Sequence, residues 1–544
     1  MICILHGYRL DGSGSNLWTR AVVQSLCQDG KTVHLVCQEY HPQIHDFIAA
    51  AYVYEPDGMV TTIVERDTPY RGRCIMHKPR LGDTLPVYVP GQYEEFPNVV
   101  PMVELPDEAI ESYLSRNVAV VERVVRENRV TVIHANHAVL LSVVAERVSA
   151  ILGVPFAIMP HGSAIEYVVK KDPRFHELAR GAFRKAVRIF VISRDMRQRV
   201  LDTFPDLPEI EHKLEDLNLG VDTGSFEPVA RDDRRARIAQ LCDTLKGRER
   251  GKRPEAVRRL RARIRADIGR EELMAAIDEA RIYNENLPDA RVEEKLRSVD
   301  WQREELLLFV GRLIASKGLQ SIVAALPLIF EAHQGARLIV AGHGPLREVM
   351  EAFLWALEHG EHGLARNIVT WGTALEGSEA TPFEEVHLFF AELDARGELE
   401  GYFETARRVV QRERVIFTGY LTHRELKCLF PCCDVAIFPS IVAEAGPLVF
   451  LEALASGCFP LGTYFAGMAA SIDSVTGGLP PGDAALMKLR NDPSCTVADI
   501  VANTAGALAL AGRHKKTLRR VVVERYDWLS VARKLATQLS TMPR

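Results

Sequence analysis

Two glutamates around a glycine–proline pair are the residues of this 544-residue sequence best suited to binding a ligand. Glu444 precedes Gly446 and Pro447, and Glu452 lies further along the same apolar segment. A proline suits the first turn of a helix, and a glycine leaves room for a ligand beside the backbone. The start of a helix attracts anions, whereas carboxylates accept hydrogen bonds from hydroxyl groups. The pattern therefore predicts a ligand with an anionic centre flanked by hydroxylated groups, as in a nucleotide sugar.

Two basic residues supply the cations that such a ligand needs. Arg312 and Lys317 follow an apolar run at 306–310 that is typical of a strand. Arginine offers a fork of parallel N–H donors to a phosphate, and lysine offers a mobile point charge. A pair of this kind is more often a surface feature than a ligand site. Its place at a strand end, together with the two later glutamates, favours contact with a diphosphate.

The elements that position these residues follow from an alternation of short β-branched runs with longer helical ones, typical of parallel α/β layers. Strands are predicted at 2–5, 32–37, 131–134, 155–159, 189–192, 306–310, 337–341, 415–418 and 434–439. Helices are predicted at 17–28, 137–152 and 448–456, and another begins at the capping box of Thr422 and Glu425. We therefore expect two α/β units and a ligand in the cleft between them, at the carboxyl ends of the strands.

Two segments interrupt the alternation. Residues 231–270 contain fifteen Lys or Arg and six Asp or Glu, and residues 271–300 contain nine acidic and four basic residues. Apolar positions recur there at helical spacing, so we expect a charged helical insertion. It is interpreted as a solvated helical hairpin or, alternatively, as a surface for a partner, an anionic acceptor or anionic lipid. A second, irregular insertion is expected at about 363–413.

Composition excludes several classes of protein. The 67 basic and 72 acidic residues leave a net charge of −5, which gives no reason to expect nucleic acid as a partner. No apolar run approaches the ~18 to 20 residues that span a bilayer. The N-terminus has no basic region before its short apolar run, so it is interpreted as a first strand. Ten cysteines without an export signal indicate free thiols and a cytoplasmic location.

Motifs in the second half carry a resemblance to a known family. They are Val310–Leu313 with Lys317 and Gly318, then 340–345, 415–420 and 434–440, and finally the Glu444-x7-Glu452 pair. In this order they resemble the nucleotide-sugar domain of the retaining GT-B glycosyltransferases, the family that includes sucrose synthases and bacterial α-glycosyl- and mannosyltransferases. The first half resembles the family less tightly, at 12–16, 134–137, 160–162, 191–193 and 218–222. At Ala445 the chain departs from the phenylalanine that the family often has.

The resemblance implies roles for individual residues. Arg312 and Lys317 would neutralise the donor diphosphate, Glu444 would bind the sugar hydroxyls, and Glu452 would bind the ribose. His161 would contact the donor sugar at the reaction centre. Together with Glu452, the positions implied to line the substrates are Gly12, Gly14, Gly311, Gly342, Thr418, Tyr420, Gly446, Pro447, Leu448 and Val449.

The same resemblance implies an α/β, GT-B architecture of two Rossmann-like domains. We expect an acceptor domain at 1–228 with a helix at about 525–544 crossing back to it, the insertion at 229–300, and a nucleotide-sugar domain at 301–524. The expected reaction transfers a hexose, with retention, from a nucleotide sugar (a UDP-sugar is favoured) to an unknown hydroxyl acceptor on a sugar, small molecule or lipid. The sequence has no Asp-x-Asp motif, so neither a metal nor another cofactor is expected.

Two other functions remain as alternatives. Gly12-x-Gly14 after the first strand, with Glu39 after the second, imitates the fingerprint of an NAD-dependent oxidoreductase. Position 17 is Leu rather than the third glycine, and the loop from His6 to Gly12 is long for that fingerprint. The second alternative is a protein that binds nucleotide sugars without catalysis, which the intact set of charged residues makes less favoured.

Overall fold

The computed structural model describes residues 1–88, 95–444, 446–510 and 512–543, so Ala445 lies outside the described residues. The chain forms two compact units, Met1–Gly220 with Arg525–Arg544, and Val221–Glu524. The predicted boundary after residue 228 therefore falls inside the second unit. The charged insertion at 229–300 belongs to that unit as well.

Strands of the first unit form a nine-stranded sheet in the order β11-β10-β9-β8-β1-β2-β5-β3-β4 and a small pair, β6-β7. Every pairing is parallel except β3 with β4. The strands are β1 Ile2–Leu5, β2 Thr32–Val36, β3 Ile48–Tyr54, β4 Val60–Glu65, β5 Arg73–Pro79, β6 Thr84–Val87, β7 Asn98–Pro101, β8 Val132–Asn136, β9 Phe156–Met159, β10 Arg188–Val191 and β11 Leu214–Asp216.

Strands of the second unit form one parallel sheet in the order β14-β13-β12-β15-β16-β17. They are β12 Glu305–Val310, β13 Ala336–Ala341, β14 Val415–Gly419, β15 Val435–Phe438, β16 Phe459–Thr463 and β17 Lys488–Leu489. The central strand β12 is almost entirely apolar because helices cover both faces of a parallel sheet, and Leu306, Leu307 and Leu308 are fully buried.

Helices connect and cover the strands. Those of the first unit are α1 Gly14–Gln28, α2 Asp107–Glu127, α3 Leu141–Leu152, α4 Gly162–Ala164, α5 Pro173–Lys185, α6 Arg194–Thr203 and the last, α22 Trp528–Ser540. Those between them in sequence are α7 Arg234–Thr244, α8 Pro254–Arg263, α9 Arg270–Ala280, α10 Val292–Arg297, α11 Leu319–Ala332, α12 Leu346–His359, α13 His362–Trp371, α14 Glu384–Ala395, α15 Leu399–Val409, α16 His423–Leu429, α17 Leu448–Ala455, α18 Ala466–Thr476, α19 Pro481–Ala485, α20 Thr496–Ala509 and α21 Lys515–Tyr526.

The short helical turns complete the secondary structure. The 3-10 turns are Pro42–Ile44, Met102–Glu104, Pro208–Lys213, Arg231–Asp233, Ala315–Lys317, Gly372–Glu376, Arg412–Arg414 and Phe430–Cys432, and a π turn spans Ile165–Val169. Within the described ranges, no helix is long and apolar enough to cross a membrane. All ten cysteines are described and carry free thiols, nine of them buried.

Three predicted elements differ from the structure. The first helix begins at Gly14 because Ser13 caps it, its Oγ accepting from the Asn16 N–H at 3.4 Å. The helix predicted from His137 begins at Leu141, since His137 adopts a φ of +73° that a right-handed helix does not allow. The stretch at 363–413 is not irregular: α13, α14 and α15 fill most of it and pack against α11 and α12.

The charged insertion is helical, as expected, but it is not a solvated hairpin. Leu260, Ile264 and Ile268 are buried, and α8 and α9 pack against α12. Ten of the fifteen basic side chains of 231–270 lie within 4.0 Å of a carboxylate: Arg231, Arg234, Lys246, Arg248, Arg250, Lys252, Arg258, Arg261, Arg263 and Arg265. Most of the positive charge is thus neutralised within the protein, which leaves little of it for an anionic acceptor or lipid.

Two of these ion pairs have a fully buried basic side chain and connect the insertion to the rest of the second unit. Arg234 donates to both carboxylate oxygens of Asp434, at 2.6 and 3.3 Å. Lys252 pairs with Glu348 of α12, and both side chains are at most 1% exposed. Burial lowers the pKa of Lys252 and raises that of Glu348, which reflects the cost of removing both charges from water. A buried charge that loses its partner is strongly destabilising.

We predict that Lys252→Ala lowers the free energy of unfolding by about 3 kcal/mol, because Glu348 then keeps a buried charge without its ammonium partner. The matched control is Arg258→Ala, which removes an exposed pair with Glu255 on α8 and costs less than about 0.5 kcal/mol. Urea unfolding of the two variants measures the difference. Equal losses in both would mean that the Lys252–Glu348 pair does not anchor the insertion.

Candidate functional site

The direction of the connections in the second sheet reverses between β12 and β15, where open α/β sheets have a crevice at the carboxyl ends of the strands. The chain leaves β12 towards β13 on one side and leaves β15 towards β16 on the other, although β12 and β15 are neighbours. Ligands of open α/β sheets bind at such a switch point, outside the carboxyl ends of the strands. Lys317, after β12, and Glu444, after β15, meet there in an ion pair with both side chains partly exposed.

Glu444 is held by its own loop as well as by Lys317. Ser440 Oγ, from a residue only 5% exposed, lies 2.8 Å from Glu444 Oε1 and 3.2 Å from the carbonyl oxygen of Ser316. The backbone N–H of Ile441 donates to the same carbonyl at 3.0 Å, and the Gly467 N–H donates to the Glu444 carbonyl at 2.9 Å. These bonds tie the two strand-end loops together and fix the carboxylate beside the ammonium group.

Close backbone contact requires the glycines that follow the strands. Gly318 has a φ of +77°, and a Cβ there would lie 2.1 Å from the Pro439 carbonyl oxygen. Gly342 has a φ of +152°, and a Cβ there would lie 1.8 Å from the Gly311 carbonyl oxygen. The structure therefore shows a packing role for Gly342, the close approach of the β12 and β13 ends, in addition to the predicted contact with substrate.

The second glutamate of the motif lies inside α17, with one carboxylate oxygen free. Pro447 precedes the helix as its N-cap, one residue before the first turn in which it was expected. Glu452 is 4% exposed, and its Oε1 lies 2.7 Å from His423 Nε2. Its Oε2 is buried without a hydrogen-bond partner among the described residues. A buried acceptor of this kind calls for a donor from a ligand.

Several predicted positions border this crevice without a protein partner for their polar groups. Arg312 is exposed and makes no hydrogen bond or ion pair with the described part of the chain. Gly446, Leu448 and Val449 are partly exposed at the start of α17, where backbone N–H groups lack partners inside the helix. The site therefore offers the unpaired guanidinium group of Arg312 and the unpaired N–H groups at the start of α17. The carboxylates of Glu444 and Glu452 lie before and after these N–H groups in the sequence.

The predicted contact of Thr418 with substrate is not available to its side chain. Thr418 is fully buried, and its Oγ1 lies 3.0 Å from the Gly419 carbonyl oxygen and 3.4 Å from that of Val340. All five residues of β14 are buried, so the side chain of Thr418 lies in the interior. Tyr420, beyond the strand end, is partly exposed, and its ring packs edge-on against His343 with the ring centres 5.1 Å apart.

The first unit has a corresponding switch point between β1 and β8, occupied by histidines. His6 follows β1, His137 follows β8, and their rings stack with centres 5.7 Å apart. His161, after β9, packs against His137 at 4.7 Å, and its Nε2 lies 2.9 Å from Asn136 Oδ1. Neither ring nitrogen of His137 has a hydrogen-bond partner among the described residues.

Burial keeps these histidines neutral. It lowers the pKa of His6 to about 4 and the pKa values of His134 and His161 to about 3. A neutral imidazole presents one donor and one acceptor, so His161 would contact a hydroxyl as a hydrogen-bonding group and not as a cation. His161 belongs to the first unit, whereas Lys317 and Glu444 belong to the second.

The features that imitate a dinucleotide fingerprint have structural roles instead. Gly14 is the first residue of α1, and Gly12 has a φ of +104° in the preceding loop. Glu39 is 3% exposed and accepts from the N–H groups of Leu10 and His41, both at 2.9 Å. Burial alone would raise the pKa of Glu39, but its bonds with His45 and these amides lower it to about 2. This carboxylate is therefore occupied and not free to bind a ribose.

Three residues of the crevice were missed by the sequence analysis. Ser440 and His423 stand inside quoted motifs, yet only their contacts with Glu444 and Glu452 reveal their roles. Glu285 belongs to the insertion, and its Oε2 lies 3.8 Å from His343 Nδ1. No sequence signal links an unplaced insertion to a particular strand end.

Comparison with known families agrees with this geometry. The profile of Glycosyltransferase Family 4 matches residues 77–225, and that of Glycosyl transferases group 1 matches residues 383–489. The chain therefore contains matches to two glycosyltransferase family models, and its fold of two α/β units is that of the GT-B glycosyltransferases. The second match includes α14 and α15, so most of the segment expected to be a second insertion lies within the family domain.

Solved structures of similar fold cover almost the whole chain. Sucrose-phosphate synthase from Thermosynechococcus elongatus is 15% identical, with 99% of this chain and 97% of that one aligned, at a TM-score of 0.52. HepE from Anabaena, in complex with UDP, is 13% identical, with 99% of each chain aligned, also at 0.52. At these identities the likeness concerns the fold.

Curated relatives match shorter parts of the chain. An uncharacterized glycosyltransferase of Methanocaldococcus jannaschii is 28% identical over 169 residues, which is 30% of each protein. The glycogen synthase of Mycobacterium tuberculosis is 28% identical over 233 residues, covering 42% of this chain and 40% of the relative. The alignments thus span less than half the length of these relatives.

We predict that acid destabilises the protein through the buried histidines. The folded pKa of His134 lies below its unfolded value near 6.5, so the unfolded chain binds more protons as the pH falls. The stability that His134 contributes is present above pH 6.5 and is lost towards pH 3, amounting to about 2 kcal/mol between pH 7.5 and 5. His134→Leu should reduce the loss between these two pH values by that amount, measured by urea unfolding. An unchanged loss would show that His134 is protonated in the folded protein.

Proposed function

We propose that the protein transfers a sugar from a nucleoside diphosphate sugar to a hydroxyl acceptor, with retention of anomeric configuration and without a metal ion. The observation that carries this proposal is the Lys317–Glu444 pair at the switch point of the second sheet. One cation and one carboxylate, contributed by adjacent strand ends, suit the bond between an anionic diphosphate and a hydroxylated sugar. The family matches support transfer of a glycosyl group.

The leaving group sets the main electrostatic requirement of this reaction. Negative charge develops on the diphosphate as the bond to the sugar breaks, and prearranged cations and N–H groups stabilise it. Arg312 and Lys317 supply the cations, and the start of α17 supplies the N–H groups. Lys317 pairs with Glu444 in the structure, and in the proposed complex the diphosphate takes the place of the carboxylate as its partner.

The carboxylate that Lys317 releases then faces the sugar. Glu444 stays anchored through Ser440, and its oxygens accept from sugar hydroxyls. This contact orients the anomeric carbon, and attack from the face of the departing phosphate gives retention. Orientation of this kind supplies much of the rate in reactions that lack a protein nucleophile.

The nucleoside is the remaining part of the donor. Glu452 Oε2 is the buried acceptor without a described partner, and a ribose hydroxyl satisfies it. His423 holds the other oxygen and fixes the orientation of the carboxylate. HepE has been crystallised with UDP and with UDP-glucose, which supports UDP-glucose as the first donor to test.

The first unit provides the acceptor side in this proposal. His161 and its neighbours at the β1–β8 switch point offer neutral hydrogen-bonding groups that suit hydroxyls, and His161 contacts the donor sugar. The nine buried free thiols fit a reducing cytoplasm.

A thermal-shift panel of UDP, GDP and ADP with their glucose and mannose conjugates identifies the donor, because binding raises the melting temperature by mass action.

The overall test is transfer or hydrolysis of the donor that stabilises the protein most. Product anomers followed by NMR report retention, and EDTA should leave the rate unchanged. Stabilisation by a nucleotide sugar without any turnover would favour the non-catalytic alternative. Loss of activity in EDTA, restored by a divalent cation, would refute metal independence.

We predict that Lys317→Ala and Glu444→Gln each lower kcat/KM by at least ~100-fold, since each removes a contact to charge or hydroxyls at the reacting centre. Arg303→Ala is the control because this side chain is 89% exposed and lies before β12, at the opposite end of the strand. Initial rates with the identified donor measure the effect. Near-wild-type rates in either site variant would refute the placement of the donor.

We also predict that Glu452→Gln weakens binding of UDP by about 10-fold, the value of a hydrogen bond to a charged group. The affinity for 2′,3′-dideoxy-UDP should stay the same, because this analogue lacks the hydroxyls that Glu452 binds. Calorimetric titration of both nucleotides provides the comparison. Equal weakening of both would assign Glu452 to the fold of α17 and not to the ribose.

A further inference from the structure

The charged insertion covers the sheet edge at the far side of the crevice. The segment 281–289 runs against the end of β14, where Pro288 and Gly419 form an antiparallel bridge. The Asp289 N–H donates to the Thr418 carbonyl at 2.8 Å, and the Tyr420 N–H donates to the Leu287 carbonyl at 3.2 Å. The segment therefore continues the hydrogen bonding of the sheet at this edge.

Gly419 shows how closely the two backbones approach. It has a φ of +74°, and a Cβ there would lie 2.6 Å from the Asp289 backbone nitrogen and 2.8 Å from the Leu287 carbonyl oxygen. Any side chain at this position would displace the segment. The glycine at the end of β14 therefore allows the close approach of segment 281–289 of the insertion.

Buried charges hold the segment in place. Asp289, 1% exposed, accepts from Arg347 of α12 at 2.8 and 3.1 Å and from Lys295 at 2.7 Å. Lys295 also donates to the Phe417 carbonyl oxygen at 2.9 Å. At the other end of the segment, Arg281 donates to the carbonyl oxygens of Leu375, at 2.8 Å, and Pro345. Both ends are therefore fixed to the second unit.

Between these anchors the segment presents Glu285 to the ends of β13 and β14. Its side chain is 34% exposed, and Oε2 lies 3.8 Å from Nδ1 of His343, which follows β13. His343 in turn packs edge-on against Tyr420, which follows β14. The neighbouring His343, together with the charges of Arg281 and Arg312, lowers the pKa of Glu285, so the group is a carboxylate at neutral pH.

The order of the donor's parts places the base near this carboxylate. In the proposed function the diphosphate lies at the ends of β12 and β15, and the ribose lies at Glu452 and His423. His423 begins α16, just after β14. A nucleoside that continues from its ribose towards the edge strands arrives at His343, Tyr420 and Glu285.

We propose that the insertion completes the base subsite of the donor and that Glu285 selects the base. This inference rests on the proposed function. A carboxylate only accepts hydrogen bonds, so it favours a base whose Watson–Crick edge carries a ring N–H. Guanine offers a ring N–H beside an amino group, and uracil offers a ring N–H. Adenine and cytosine also offer an amino group, but beside it lies an unprotonated ring nitrogen that repels the carboxylate. The donor is therefore a UDP-sugar or a GDP-sugar.

Calorimetric titration of the full chain with UDP, GDP, ADP and CDP tests this proposal. Wild-type protein should bind UDP or GDP at least ~10-fold more tightly than ADP and CDP. The reason is that the Glu285 carboxylate only accepts hydrogen bonds, so the site discriminates against a base that lacks the ring N–H. Glu285→Ala should reduce the preference to less than about 3-fold, while Glu285→Gln, which keeps one acceptor oxygen, should retain part of it. Glu294→Gln is the control, since Glu294 is an exposed glutamate of the same insertion, paired with Arg291.

The outcomes separate this inference from the function on which it rests. Lys317→Ala should weaken all four nucleotides alike, whereas Glu285→Ala should change their ranking. An unaltered ranking in Glu285→Ala, or a wild-type preference for ADP or CDP, overturns the role of Glu285 and leaves the proposed function standing. Failure of wild-type protein to bind any nucleoside diphosphate or nucleotide sugar overturns both.

Discussion

The parallel pairing of β12 with β15 is the interaction on which the donor side of the protein depends. Leu307 pairs with Val435 and Leu308 with Ala436, so the two strands end at the same edge. Their connections leave in opposite directions, which makes this edge the switch point at which ligands of open α/β sheets bind. Lys317 and Glu444 are far apart in sequence, and this register, together with the bonds between their loops, brings them together.

Ion pairs between charged side chains determine the position of the insertion on the second unit. Residues of the insertion pair with Asp434, which is partly exposed, and with Glu348 and Arg347, which are almost fully removed from water. Such pairs give little net stability compared with apolar packing, but a mismatched partner is costly. These pairs therefore determine where the insertion docks more than they add to the stability of the protein. The result is a segment of unfamiliar sequence placed accurately against the ends of β13 and β14.

Local sequence was sufficient to predict nine of the seventeen described strands and the motif residues, but not the other eight strands or the contacts between elements. The runs at 2–5 and 306–310 form strands as expected because buried parallel strands require apolar side chains. The burial of Thr418 depends on the packing that covers both faces of β14, and the docking of Glu285 depends on pairs formed across long separations in sequence. Such features are set by tertiary packing, and one sequence carries no periodic signal for them.

The return of the chain to its first unit has a consequence for the order in which the protein is made. Helix α22 packs against α1, and Trp528 lies so close to Gly220 that a Cβ there would sit 2.1 Å from its ring. Roughly 300 residues of the second unit separate these partners in sequence. At about 5 to 20 residues per second, the ribosome needs on the order of 15 to 60 s to supply them. During that interval the apolar surface of α1 that α22 covers has to remain without its native partner.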